Sequence, residues 1–200
     1  MLLRSTPFSP FGRKVKMAAK RLKLYDKMTI VASDAMDPKD ELRKDNPLGK
    51  MPCLVLDDGR RIYDSRVILE YLDHAAGGGK IIPNDWPRRI DCLRLQALCD
   101  GITDAAILIV YEDRYRPKEL AHAPWLDYQR DKITRGLDAL EKELPDPADF
   151  TVGSIALSTA LGYLDFRKQV DYRKRNPSLA KWLDAFRAKN PEFDATHAVA

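Results

Sequence analysis

A segment rich in glycine and proline, near residue 80, separates two parts of the chain that follow different hydrophobic patterns. The segment runs from Gly77 to Pro87, and its glycines and prolines interrupt any regular element. Before it, short strand-like runs alternate with helical stripes, whereas after it nearly every apolar repeat has the period of a helix. Because 200 residues suffice for one large domain or two small ones, we predict two domains, 1–77 and 88–200, joined by a linker at 78–87.

Two pairs of a strand and a helix are predicted at the start of the chain. Residues 2–3 suit a short first strand, and the helical stripe after them begins with Ser9 as N-cap and Pro10 in the first turn. Residues 28–31 are typical of a second strand. Residues 38–45 are expected to form a short polar helix, because a proline at residue 38 suits a first helical turn.

A hairpin and a further helix complete the first part. Two apolar runs flank Asp58-Gly59, and an Asp-Gly pair between such runs indicates a tight turn, because glycine accepts a positive φ. Ser65 then precedes a helical stripe that ends at Ala75, and its side chain is expected to cap the first free N–H groups of that helix. The element order of the first part is therefore βαβαββα, an α/β arrangement.

The second part is predicted to be an all-helical bundle. The stripe over 90–110 gives a long helix that crosses the whole domain. The stripe over 126–144 predicts an antiparallel neighbour, which Pro145 ends because proline lacks an N–H group. A more apolar helix over 155–164 is expected to lie innermost, and a last helix covers 179–186.

Composition and charge exclude several classes of protein. The net charge of +4 arises from 34 basic and 30 acidic residues that are interleaved along the chain, so no nucleic-acid partner is expected. No apolar run approaches the ~18 residues of a membrane span. The start of the chain has arginine and proline where a signal peptide needs an apolar run. We therefore expect a cytoplasmic protein with no membrane partner.

Cysteine and histidine usage predicts no metal site. Neither a CxxC pair nor a metal-ligand spacing of histidines occurs in the sequence. Because three cysteines are too few for a disulfide framework, we expect reduced thiols, and we expect the histidines at the surface. The residues concerned are Cys53, Cys92, Cys99, His74, His122 and His197.

Three short segments suggest chemistry, and the first is the predicted helix start at Ser9. A helix N-terminus carries unpaired N–H groups and about half a positive charge, which stabilise an anion such as a thiolate. A hydroxyl donor at this position would lower the pKa of a thiol from its ordinary value of about 8.5. The same residues also make a good helix cap without any ligand, so both interpretations stand at this point.

The other two segments are NPLGKMP, residues 46–52, and the pair Asp64-Ser65. A cis Met51-Pro52 bond would turn the main chain of Met51 toward an extended ligand, whereas a trans bond suits a sheet edge. Asp64 can pair with an ammonium group and Ser65 with a carboxylate, or the pair simply caps a helix. Together the three segments outline a site for the tripeptide γ-glutamyl-cysteinyl-glycine.

The sequence resembles the glutathione transferase superfamily, in particular its cytosolic bacterial-type members. SPFGRKV, NPLGKMP and YDSRVILEYL occur in that family's order and spacing, and the resemblance covers essentially the whole chain. It implies a thioredoxin-like N-terminal domain, an all-α C-terminal domain, glutathione as co-substrate, no metal, and a homodimer. One departure is the cap of the inner helix, where Thr151-Val152-Gly153-Ser154 has a hydroxyl in place of the family's frequent aspartate. Serine can still cap, but a neutral acceptor interacts less with the helix dipole, so we expect weaker local stability and an unchanged fold.

The resemblance also implies roles for individual residues in binding glutathione. Met51, which precedes a cis Pro52, would bind the cysteinyl backbone. Asp64 and Ser65 would hold the γ-glutamyl end. Lys50 would reach the glycyl carboxylate.

The catalytic position is expected at the start of the first helix. The family residue that activates the thiol falls on Phe8, which has no hydrogen to donate, or on Ser9, which has one. Related serine-type members carry a Ser-Ser or similar pair where this chain has Phe8-Ser9. We therefore predict Ser9 as the catalytic residue, with Thr6 and Ser5 as the next candidates.

A small hydrophobic electrophile is the expected second substrate, bound in an apolar cleft between the domains. Aromatic residues at this spacing also suit a protein core. Arg114 would serve an anionic electrophile, and in a homodimer Asp100 or Asp104 would approach the partner's glutathione unless both are surface acids. The predicted lining of the cleft is Phe8, Phe11, Ile107, Tyr111 and Tyr115.

Three functions follow from the resemblance. The first is a detoxification transferase that ionises the glutathione thiol for attack on the electrophile. The second is glutathione-dependent reduction of disulfides or peroxides, for which a related branch uses a cysteine at the first helix. This chain has no cysteine there, and Cys53 lies in a predicted strand. The third is a non-catalytic protein that binds ligands or partners, since Phe8 stands in place of a hydroxyl.

Overall fold

Two units of different architecture make up the chain in the computed structural model, which describes residues 1–197. One unit comprises Met1–Ile90 and the described residues from Pro191 onward, and the other comprises Asp91–Asn190. Over residues 1–197, no helix combines the length and the apolar character that crossing a bilayer requires.

The first unit has the predicted βαβαββα order. Its four strands form one mixed sheet, and its helices alternate with them along the chain. The elements are β1 (Leu2–Ser5), α1 (Pro10–Arg21), β2 (Thr29–Ala32), α2 (Leu42–Asp45), β3 (Cys53–Val55), β4 (Arg61–Ile62) and α3 (Ser65–Ala75), with 3₁₀ turns at Tyr25–Lys27 and Asp194–Thr196. The thioredoxin-like arrangement is therefore confirmed.

The strands of the sheet run in the order β2-β1-β3-β4. Strand β1 is parallel to β2 and antiparallel to β3, so Leu3 lies opposite Ile30 on one side and Leu54 on the other. Strand β4 forms the predicted hairpin with β3, through a turn in which Gly59 has a φ of +85°. The fully buried apolar side chains of this unit include Leu3, Leu54, Val15, Ala18, Ile68 and Leu72.

Helix α2 begins at Leu42, four residues later than the proline at residue 38 predicts. The reason is the side chain of Asp40, which accepts the N–H groups of Asp34 and Leu42 at 2.7 Å each. These bonds lower the pKa of Asp40, and the bond from Asp34 contributes most. A side-chain acceptor that competes for N–H groups favours turns over a regular helix.

The second unit is helical, as predicted. Helix α5 (Ala123–Leu140) ends before Leu144, so the predicted extension to Leu144 is wrong. The next residue, Glu141, directs its carboxylate to the N–H groups of Ser178 and Leu179 at the start of α8 (Pro177–Lys189), at 3.0 and 3.3 Å. The helices are α4 (Trp86–Tyr115), whose first residues belong to the first unit, α5 (Ala123–Leu140), α6 (Val152–Arg167), α7 (Tyr172–Arg175) and α8 (Pro177–Lys189), with a 3₁₀ turn at Lys118–Leu120.

Helix α6 is the most buried helix of the second unit. Every residue from Val152 to Leu164 is buried, as its apolar stripe predicts. The hydroxyl of Thr151 accepts the N–H of Ser154 at 3.3 Å, and the hydroxyl of Ser154 accepts the N–H of Thr151 at 2.9 Å. The predicted hydroxyl cap is confirmed, in the form of a reciprocal capping box.

A buried carboxylate fixes the glycine-rich segment that follows α3. Asp73 accepts the N–H groups of Gly79, Lys80 and Ile81 at 2.8, 2.8 and 2.7 Å. The chain reaches this carboxylate through three consecutive glycines with φ values of +102°, +75° and +68°. Other residues adopt such values only at a cost, so the glycines allow a defined turn here.

Candidate functional site

The three segments singled out in the sequence leave the sheet of the first unit at one edge. The antiparallel register pairs Arg4 with Cys53 and Leu54 with Ile62. The ends of β1 and β4 therefore both lie beside the start of β3. The turn into α1, the loop into β3 and the start of α3 consequently emerge together.

Ser9 is the N-cap residue of α1, as predicted. Its backbone is extended, its carbonyl accepts the N–H of Arg13 at 2.9 Å, and its hydroxyl oxygen accepts the N–H of Gly12 at 3.1 Å. Pro10 has no N–H group, and the N–H groups of Gly12 and Arg13 are already bonded to Ser9. Within the described residues, the N–H of Phe11 therefore has no acceptor in the first turn of α1. A hydroxyl has one donor hydrogen besides its lone pairs, so the O–H of Ser9 can still donate.

The other two hydroxyls considered for catalysis lie behind this cap. Ser5, the last residue of β1, is buried, and a Cβ atom on Gly12 would collide with its oxygen. Glycine at residue 12 therefore lets α1 pack closely on the end of β1. Thr6 is half-buried, and its carbonyl accepts the N–H of Ser9 at 3.3 Å. Of the three side chains, Ser9 is the one at the helix end.

The loop before β3 presents the main chain of Met51. The Met51-Pro52 peptide bond is cis, as the family resemblance implies. The buried Asn46, to which the sequence assigned no role, donates from its side-chain amide to the carbonyl of Lys50 at 2.7 Å and accepts the N–H of Leu48 at 3.0 Å. Within residues 1–197, no hydrogen bond engages the main-chain N–H or C=O of Met51, so both groups are open to a ligand.

Asp64, rather than Ser65, caps α3, which corrects the prediction. Its exposed carboxylate accepts the N–H of Arg66 at 2.9 Å, and its carbonyl accepts the N–H of Ile68 at 3.0 Å. The Tyr63-Asp64 peptide bond is also cis. Ser65 is the buried first residue of the helix. A carboxylate and a helix-start N–H therefore lie side by side, a pair suited to the ammonium and carboxylate of an amino acid.

Two places on this edge, Lys50 and the start of α1, favour anionic groups of a ligand. Lys50 is exposed, and within the described residues no carboxylate pairs with its ammonium group. The first turn of α1 contains no acidic residue, so nothing there offsets the positive end of the helix dipole. The edge can therefore attract both a carboxylate and a thiolate.

The thiol of Cys53 is not a reactive nucleophile. The Sγ atom of Cys53 lies 3.6 Å from the carbonyl oxygen of Asp45, and burial, together with the carboxylate of Asp45, raises the pKa of Cys53 to about 11. A thiol with so high a pKa is protonated at neutral pH. Cys92 and Cys99 are also buried.

The histidines are exposed, as predicted, at His74, His122 and His197. In the part of the chain that the structure describes, no three His, Cys, Asp or Glu side chains cluster in a way that would hold a metal ion.

A segment near the end of the chain braces α1, and sequence reasoning missed it. The buried guanidinium of Arg13 lies 3.9 Å from the ring centre of Phe193 and donates to the carbonyl of Phe193 at 2.7 Å. Arg21, in the last turn of the helix, pairs with Glu192 at 3.0 Å. The first contact joins residues that are 180 positions apart, a distance over which no local pattern gives a signal.

The residues predicted to contact the second substrate belong to both units. In the first unit, Phe8 is 46% exposed and Phe11 is half-buried. In the second unit, the ring centres of Tyr111 and Tyr115 lie 5.2 Å apart, each residue is 45% exposed, and Ile107 is half-buried. The two tyrosines are therefore not core residues, and they offer an accessible aromatic surface.

The charged residues considered on α4 differ in exposure. Asp100 is buried, so its interpretation as a surface acid is wrong, whereas Asp104 is exposed. The guanidinium of Arg114 lies 5.8 Å from the ring centre of Tyr115. Of the two acids, Asp104 is the one that another molecule can reach.

Comparisons with known protein families match segments in both units. The family model described as "Glutathione S-transferase, N-terminal domain" matches residues 8–75. The model described as "Glutathione S-transferase, C-terminal domain" matches residues 117–185.

Solved structures and curated proteins similar to the chain agree with these matches. A glutathione transferase family member from Pseudomonas fluorescens Pf-5, solved with bound glutathione, is 40% identical; the match covers 100% of this chain and 99% of that one, with a TM-score of 0.92. A glutathione S-transferase from Methylobacillus flagellatus KT with GSH bound is 35% identical over 99% of both chains, with a TM-score of 0.89. An uncharacterized GST-like protein of Escherichia coli K12, YibF, is 38% identical over 127 residues, which are 62% of this chain and 62% of YibF.

Proposed function

Because the chain belongs to the glutathione S-transferase family, we propose that it binds glutathione at the sheet edge of the first unit and ionises its thiol for attack on a small hydrophobic electrophile. The thiol releases its proton to solvent water, and the resulting thiolate forms a bond from sulfur to an electrophilic carbon. In a substitution, a leaving group departs from that carbon with the pair of electrons of the broken bond. In an addition to an activated alkene, the electron pair of the double bond moves to the neighbouring carbon, which takes up a proton. The product is a thioether.

The observation that carries the proposal is the hydrogen bonding of the Ser9 hydroxyl. Its oxygen is occupied by the N–H of Gly12, which leaves its hydrogen to donate to a sulfur at the helix end. The open N–H of Phe11 and the positive end of the α1 dipole act in the same direction, because both stabilise a negative charge. Ser9 therefore lowers the pKa of the glutathione thiol in this proposal and is its catalytic residue.

The rest of glutathione extends across the same edge. The open main-chain groups of Met51, before Pro52, pair with the cysteinyl unit as a short added strand would. The carboxylate of Asp64 receives the γ-glutamyl ammonium, and the start of α3 at Ser65 receives its carboxylate. Lys50 pairs with the glycyl carboxylate. The Pseudomonas relative supports the ligand class, since its structures hold glutathione and S-(propanoic acid)-glutathione, whose name places a substituent on sulfur.

In this proposal, the second substrate contacts exposed and half-buried apolar and aromatic side chains. We assign that role to Phe8, Phe11, Ile107, Tyr111 and Tyr115. We also propose a cytoplasmic homodimer with a role in detoxification, in which the exposed Asp104 approaches the glutathione of the partner subunit.

Two assays on the full chain test the proposal. We expect titration calorimetry to detect binding of reduced glutathione at millimolar concentrations or below. We expect a thioether with 1-chloro-2,4-dinitrobenzene to form faster with the protein than with glutathione alone. Absence of glutathione binding would refute the proposal, and binding without turnover of a panel of electrophiles would favour the non-catalytic alternative.

A matched pair of variants tests the binding site itself. Asp64→Asn keeps a helix cap but removes the charge that meets the γ-glutamyl ammonium, so the Kd for glutathione should rise about tenfold or more. Asp58→Asn removes a similarly exposed charge from the turn between β3 and β4 and should leave the Kd unchanged. Equal effects of the two substitutions would contradict the assignment of Asp64.

A further inference from the structure

A cavity in the second unit lies among residues that the proposed transferase reaction does not use. It measures about 430 Å³, within the ~300–1,000 Å³ of small-molecule sites. Its walls come from the last turns of α4, the segment after α4, the first turns of α5 and the end of α6. None of the residues assigned above to glutathione or to the second substrate lines it.

The charges that line this cavity leave an excess of positive charge. The buried Glu112 pairs with Arg116 at 3.3 Å, and Arg130 pairs with Asp127 at 3.0 Å. Within the described residues, neither Lys118 nor Arg167 has a carboxylate partner. The charged residues of the lining are Glu112, Asp113, Arg116, Lys118, Arg130 and Arg167. Two cations without carboxylate partners therefore face one remaining acid, Asp113, which favours an anionic ligand.

Two side chains of the lining also have unused hydrogen-bonding capacity. Arg167 lies against aromatic rings, 5.4 Å from the ring centre of Tyr163 and 4.8 Å from that of Phe166, and Gln169 donates to the carbonyl of Ala106 at 2.9 Å. Over residues 1–197, the buried Nε of Arg167 and the buried Oε1 of Gln169 have no partner. Such atoms are uncommon in folded proteins and are often satisfied by a ligand or water.

We propose that this cavity binds a small organic carboxylate that also carries a hydroxyl or N–H donor. Arg167 and Lys118 pair with the carboxylate, for which the planar guanidinium is well suited. The Oε1 of Gln169 accepts from the donor group of the ligand. Ile109 and Leu126, which line the same cavity, contact its apolar body. The site is independent of the proposed thiol chemistry.

Calorimetry with 4-hydroxyphenylacetate as the probe tests this proposal on the full chain saturated with glutathione. Tyrosol, in which an alcohol replaces the carboxylate, is the uncharged control. We expect one molecule of the acid to bind per chain and tyrosol to bind at least about tenfold more weakly. No binding of the acid at millimolar concentrations, or equal binding of the two compounds, would overturn the proposal.

Variants locate the binding within the molecule. Arg167→Met and Lys118→Met should each raise the Kd of the acid, by about tenfold for the former, and Arg135→Met, at an exposed arginine of α5, should not. Tyr111→Ala, which alters the surface assigned to the second substrate, should leave the Kd unchanged. Because Arg167 also packs on aromatic rings, its replacement could destabilise the fold, so the melting temperature of Arg167→Met is measured as well. If that variant is unstable, the Kd of Lys118→Met, at an exposed residue, decides the test. Weakening by Tyr111→Ala but not by Lys118→Met would refute the cavity as the site.

Discussion

Replacement of Ser9 can separate the structural duty of its hydroxyl from the proposed catalytic one. The oxygen caps α1 by accepting the N–H of Gly12 at 3.1 Å, whereas the hydrogen is the part that would donate to the glutathione thiolate. Ser9→Ala removes both contributions. Ser9→Gly removes the hydroxyl but retains most of the stability of the helix start, because glycine is itself an acceptable N-cap residue.

The two contributions of the Ser9 hydroxyl have different magnitudes and different readouts. Loss of the cap should lower the free energy of unfolding by about 1 kcal/mol in Ser9→Ala and by only a few tenths in Ser9→Gly. Loss of a hydrogen bond to a charged group costs about 1.5–3 kcal/mol, which corresponds to a rise of about 1–2 units in the pKa of the bound thiol. Both variants should therefore lose roughly ten- to hundredfold in kcat/KM at neutral pH.

Ultraviolet absorbance of the thiolate across a pH series gives the pKa of bound glutathione, and conjugation of 1-chloro-2,4-dinitrobenzene gives the rate. Because the variants stabilise the thiolate less, their rate profiles should move to higher pH. Their rates should approach that of the native protein well above the ordinary thiol pKa of about 8.5. Thr6→Val, which removes the neighbouring hydroxyl, is the control. Native pKa and rate in Ser9→Gly, or the same shift in Thr6→Val, would refute the reasoning.

Three further measurements test features around the site. Asp73→Asn weakens the acceptor for the N–H groups of 79–81, so the free energy of unfolding in urea should fall by about 1–3 kcal/mol; unchanged stability would contradict that role. Because burial raises the pKa of Cys53 to about 11, its thiol should react with iodoacetamide far more slowly in the native than in the unfolded protein near neutral pH; equal rates would argue against burial. Thr151→Val leaves the N–H of Ser154 without its acceptor and should lower the free energy of unfolding in urea by about 1 kcal/mol; unchanged stability would contradict the role of Thr151 as a cap.

Features that depend on neighbours along the chain could be predicted from the sequence. Hydrophobic period and turn residues act locally, so they indicated the βαβαββα order, the hairpin at Gly59 and the start of α1 after Ser9. The cis bond between Met51 and Pro52 followed from the family resemblance, because the residues themselves were compatible with either isomer.

Features that depend on a choice between similar residues, or on distant contacts, could not be predicted. Asp64 and Ser65 are both good caps, and only the position of the first helical turn decides between them. Helix α5 ends where Glu141 turns to the start of α8, 37 residues further along the chain. The brace of α1 likewise depends on a contact between Arg13 and Phe193, 180 residues apart.

Strand pairing, rather than the order of the motifs, brings the parts of the proposed site together. A right-handed crossover through α1 accounts for β2 lying parallel beside β1, and the tight turn accounts for β4 beside β3. Neither rule decides the partner of β3. If β3 ran parallel to β1, its start would lie at the opposite end of the strands and would carry Met51 away from Ser9. If it lay beyond β2, it would be two strand spacings from β1, or about 10 Å. The site therefore depends on one long-range pairing, in which Arg4 lies opposite Cys53, and no local pattern in the sequence specifies that pairing.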